Sequence, residues 1–90
     1  MLTYSLFIVD DEATARNGMT LALQKEYDVK SFEDAEQALE AVRSQAPDLI
    51  LLDIGLPGMN GIEALQEIKK IRPNTVVIMI TAFEDIATVV

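Results

Sequence analysis

Three carboxylates and a hydroxyl stand where short apolar runs stop. Asp10 and Asp11 follow Leu6-Phe7-Ile8-Val9, Asp53 follows Leu49-Ile50-Leu51-Leu52, and Thr81 follows Val76-Val77-Ile78-Met79-Ile80. The chain has neither histidine nor cysteine. Imidazole bases, imidazole metal ligands, thiolates and disulfides are therefore excluded, and any chemistry runs on carboxylates, hydroxyls, backbone groups and a few basic side chains. An aspartate after a strand is often only the cap of the next helix, and Asp11 alone would be read that way. Thr81 alone means almost nothing. Asp53 is harder to dismiss, because Ile54 continues the apolar run beyond it. Two carboxylates ~4 Å apart repel by about 4 kcal/mol at an effective dielectric near 20. Clustering them calls for a cation, and Mg²⁺ suits oxygen donors. Asp11 and Asp53 would each give one oxygen, Asp10 would orient metal-bound water, and the loop after Asp53 would add a backbone carbonyl, with Gly55 allowing close approach. An aspartate beside Mg²⁺ can act as a nucleophile toward phosphorus. Thr81 would then offer its hydroxyl to the phosphoryl oxygens, and the small Ala82 would leave them room.

The elements that position these residues follow from periodicity. The apolar runs Leu6–Val9, Leu49–Leu52 and Val76–Ile80 suit strands buried on both faces of a parallel sheet, with a further short strand at Val29–Phe32. Between them the period changes to that of a helix. Ala15, Met19, Ala22 and Leu23 share one face of a helix over about 12–26, with Asp11 as its expected N-cap. Ala35, Ala38, Leu39, Val42 and Ala46 line a second helix, opened by Asp34 with Gln37 as capping-box partner and ended by Pro47. Gly61, Ala64, Leu65 and Ile68 line a third, capped by Asn60 and Glu63. Residues 84–90 read as the start of another helix. Alternating strands and helices imply right-handed crossovers and an α/β fold with a doubly wound parallel sheet. Strand order 2-1-3-4 sets the first and third strands side by side at the switch point, where ligands bind.

Ninety residues make one small domain. The net charge of −8 and the scattered seven basic residues exclude a phosphate-backbone grip, so direct nucleic-acid binding is not expected. No stretch is long and apolar enough to span a membrane, and the N-terminus lacks a basic leader, which points to a cytoplasmic protein.

Taken together, Val9-Asp10-Asp11-Glu12, Leu51 to Gly61 and Ile80-Thr81-Ala82 resemble the acidic pocket, phosphorylation strand and switch hydroxyl of response-regulator receiver domains of bacterial two-component systems. The resemblance implies a flavodoxin-like fold in which Asp53 accepts a phosphoryl group from a sensor histidine kinase. Asp10, Asp11, Asp53 and the Gly55 carbonyl would hold or orient Mg²⁺, and Thr81 would turn inward to switch an output surface. Receivers normally continue with a fifth strand bearing a lysine and then a fifth helix. On that pattern, residues 1–90 are one receiver domain incomplete at its C-terminus, lacking the fifth strand and helix. The fourth strand would then be an exposed apolar edge, and the chain is expected to be unstable alone or to form a homodimer by edge pairing or segment exchange. A downstream output domain outside this chain is implied. Residues 81–87 resemble receivers of sigma-54-dependent transcription activators.

Three other readings compete. A Mg²⁺-dependent aspartyl phosphohydrolase commonly places a second aspartate two residues after the nucleophile, where this chain has Gly55. A flavin or nucleotide module needs a glycine- or hydroxyl-rich cradle after the first strand, where this chain has Asp10-Asp11-Glu12. A degenerate receiver would serve only as a dimerisation module.

Overall fold

The structure is a computed structural model that describes residues 3–80 and the backbone of Ala87–Val89. Elements run β1 (Tyr4–Val9), α1 (Ala13–Leu23), β2 (Tyr27–Phe32), α2 (Ala35–Ser44), β3 (Leu49–Asp53), α3 (Gly61–Ile71), β4 (Val76–Ile80) and β5 (Ala87–Val89). The sheet order is β2-β1-β3-β4-β5, so the expected order 2-1-3-4 is present with one strand added. The pairs β1–β2, β1–β3 and β3–β4 are parallel. The register sets Val9 beside Leu52 and Asp53 beside Ile80.

The added strand corrects two expectations. β5 runs antiparallel on β4, pairing Ile78 with Val89 and Ile80 with Ala87, so residues 87–89 are extended rather than helical. The outer edge of β4 is accordingly occupied over Ile78–Ile80 and is no free template there. An antiparallel return satisfies backbone groups that a bare edge would leave open.

Both sheet faces carry helices, but unequally. Phe7, Val9, Ile50, Leu52, Val77 and Met79 join Ala35, Ala38, Leu39 and Val42 of α2 and Ala64 and Ile68 of α3 in one buried cluster. Leu6 and Ile8 are buried outside that cluster, while α1, although touching β1 and β2, has no buried residue. The helix boundaries follow local chemistry. Asp34 accepts the Gln37 N–H at 2.8 Å and opens α2, although the Gln37 amide turns to Glu33 and Asp34 side chains instead of closing a box. Asn60 and Glu63 form the complete capping box of α3. α2 ends at Ser44, three residues before Pro47, which leaves Ala46 exposed instead of on the inner face.

Candidate functional site

β1 and β3 are neighbours whose chains leave in opposite directions, so a crevice opens at their C-terminal ends. Asp10 follows the last residue of β1 and Asp53 is the last residue of β3. One carboxylate oxygen from each of Asp10, Asp11 and Asp53 lies within 4.8 Å of the others. Asp11 is exposed, whereas Asp10 and Asp53 are partly shielded.

Local hydrogen bonds explain how the acids come to face one another. Asp10 donates its N–H to the Phe32 carbonyl at 3.1 Å, which extends the β1–β2 pairing by one step. Its Oδ1 accepts the Glu12 N–H at 2.9 Å, turning the chain into α1. The N-cap of α1 is Glu12, without a side-chain cap bond, rather than the expected Asp11. Relieved of capping, the Asp11 carboxylate is available to the cluster. Asp53 Oδ1 accepts the Gly55 N–H at 3.0 Å. A Cβ at Gly55 would lie 3.7 Å from Asp53 Oδ1, an ordinary contact.

Asp53 feels its neighbours. Its pKa is raised above the ordinary value of 3.8, chiefly by burial, then by the negative charges of Asp10 and Asp11 and a hydrogen bond to Asp11. The Gly55 N–H opposes the rise by favouring the ionised form. The donor set fits a hard divalent cation: three carboxylates supply oxygens, and such an ion relieves the repulsion that adds to burial in raising the Asp53 pKa.

Two neighbours have roles at this site that the sequence does not announce. Gly61 is the first residue of α3, and a Cβ there would fall 2.5 Å from the Asp53 carbonyl oxygen and 2.7 Å from Ile54 Cα. Its absent side chain lets α3 seat on the strand end that carries Asp53, fastened by the Gly61 N–H donating to the Ile54 carbonyl at 3.1 Å. The signal was present in the sequence as a glycine directly after a capping Asn60. Arg16 donates from Nη1 to the Asp10 carbonyl at 2.7 Å. No motif announced it, because the bond spans the turn between β1 and α1. Thr81 and Ala82, the remaining predicted parts of the site, lie outside the described residues. No helix among the described residues is long and apolar enough to cross a membrane.

A family model for the response regulator receiver domain matches residues 6–90. The chain is 40% identical over 86 residues to the DNA-binding response regulator MtrA of Mycolicibacterium paratuberculosis, covering 94% of this chain and 38% of that protein. It is 38% identical over 87 residues to sporulation initiation phosphotransferase F of Bacillus subtilis, covering 96% of this chain and 70% of that one. Among solved structures, a CheY-like response regulator receiver domain protein from Methanospirillum hungatei superposes with a TM-score of 0.87 at 30% identity, over 91% of this chain and 66% of that chain. The chain thus spans under two fifths of the length of the MtrA proteins it matches. A match that starts inside β1 and runs past β4, at this identity and on this fold, admits one conclusion: the chain belongs to the response regulator receiver domain family, a family of signalling domains.

Proposed function

We propose that this chain is a phosphoacceptor module in which Asp53 receives the phosphoryl group of a phosphohistidine on a sensor kinase. The observation that carries the reading is the meeting of Asp10, Asp11 and Asp53 at the switch point of a receiver fold. An Asp53 carboxylate oxygen attacks phosphorus, the bond from phosphorus to imidazole nitrogen breaks, and the departing nitrogen keeps the electron pair and takes up a proton. Asp10, Asp11, Asp53 and the Gly55 carbonyl would hold Mg²⁺. A bound Mg²⁺ supplies charge neutralisation for the phosphoryl oxygens. The Thr81 hydroxyl would meet those oxygens and shift the population between two packings of the output surface. The output domain belongs to a longer polypeptide, and the protein works in the cytoplasm.

The test is incubation with Mg²⁺ and a small acyl phosphate, followed by intact mass. The reading expects one phosphoryl adduct per chain, absent in Asp53→Asn and absent after chelation. Continuous release of phosphate would identify a hydrolase instead, a reading that Gly55 disfavours by standing where the second carboxylate belongs. No adduct, with self-association by light scattering, would identify a receiver that serves only to pair copies.

A further inference from the structure

Asp10 is held at three points. Its N–H donates to Phe32, its Oδ1 accepts from the Glu12 N–H, and its carbonyl accepts from Arg16 Nη1. At 2.7 Å the third is the shortest of the three and has a charged donor. Arg16 is half-buried on α1, so this bond ties the first turns of that helix to the end of β1.

What the guanidinium leaves alone matters as much. The ion pairs among the described residues are Arg43 with Glu40 and Lys70 with Glu67, and neither includes Arg16. A cation paired directly with Asp10 or Asp11 would occupy the oxygens a metal needs and would repel the metal as well. Bonded to the carbonyl, Arg16 fixes the turn and leaves the carboxylate oxygens open.

We propose that Arg16 is a positioning residue for divalent-cation binding, acting through the Asp10 backbone. The inference rests on Asp10, Asp11 and Asp53 forming the cation site. Its strength is that two physical roles predict opposite signs. As a nearby positive charge and nothing more, Arg16 would oppose a cation, and removing it would tighten Mg²⁺ binding. As a clamp, its removal loosens the turn that aims Asp10 and Asp11, and binding weakens.

The experiment is calorimetric titration of Mg²⁺ into the full ninety-residue chain and its Arg16→Ala, Arg16→Gln and Arg16→Lys variants, with thermal melts in metal-free buffer. Loss of a group that orients metal ligands commonly weakens affinity about tenfold or more. Arg16→Ala and Arg16→Gln are expected to show that loss, and Arg16→Lys, which keeps a charged donor, to stay within about threefold of the parent. Unchanged or tighter binding in Arg16→Ala and Arg16→Gln overturns the proposal. If Arg16→Ala does not fold, Arg16→Gln decides between the two signs. A parent chain that binds no Mg²⁺ defeats the reading of the cation site itself, and the clamp falls with it; a parent that binds normally while the variants match it defeats only the clamp.

Discussion

Asp53 sits in a place that discourages ionisation. Burial and the charges of Asp10 and Asp11 raise its pKa, so the folded state holds its proton more tightly than the unfolded chain does. The stabilising contribution of the protonated form is therefore complete below the unfolded pKa near 3.8 and is lost as pH rises through the higher folded pKa. At neutral pH without metal, Asp53→Asn is expected to melt at a higher temperature than the parent. The gap should close on acidification toward the unfolded pKa, and an unchanging gap would show that charge is not the cause. Mg²⁺ reverses the order by mass action: at a hundredfold excess over its dissociation constant it should add about 2.7 kcal/mol to the parent. Asp53→Asn, with one carboxylate fewer, should gain less in the same melts. Gly61 is the other residue with a sharp expectation. Its Cβ would strike the Asp53 carbonyl oxygen, a backbone atom that cannot swing aside. Gly61→Ala should lose about 1–3 kcal/mol in chemical denaturation and impair phosphoacceptance, because α3 must back away from the strand end.

At the level of elements, the starts of the helices were legible wherever a side chain does the capping. Asp34 and Asn60 both appear as read, and replacing Asn60 by Ala should cost about 1 kcal/mol, seen as a fall in melting temperature of roughly 4–8 °C. α1 was misread at its N-terminus for an instructive reason. Asp10, Asp11 and Glu12 are all plausible caps, and the sequence does not say which carboxylate turns to a backbone N–H and which is left to face Asp53. Asp10 takes the Glu12 N–H, and Asp11 is thereby set free. The site was readable because each acid closes an apolar run. Arg16 was not, because its bond to Asp10 depends on where the loop turns. Residues 87–89 were read as helical from a pattern too short to separate a helix from a strand, and pairing with β4 decides their conformation.

Among the described residues, one sheet face is thoroughly packed and the other is partly covered. Along β3 the residues alternate between them: Ile50 is fully buried under α2 and α3, whereas its neighbour Leu51 is half-buried on the side of α1. Ile50→Ala should therefore cost about 2–5 kcal/mol in urea unfolding and Leu51→Ala about half as much. Comparable losses at the two positions would show that the second face is better filled than the structure indicates. The register of β1 against β3 has a consequence in time. Asp10 and Asp53 stand at the ends of strands separated by the whole of α1, β2 and α2, so their carboxylates meet only after a long stretch of chain has found its place. Contacts so remote in sequence form slowly and late. The carboxylates then act as a latch that exists only on the finished sheet. Mg²⁺ should slow escape from the native state and leave the rate of reaching it almost unchanged, visible in stopped-flow traces as a lowered unfolding limb beside an unmoved refolding limb.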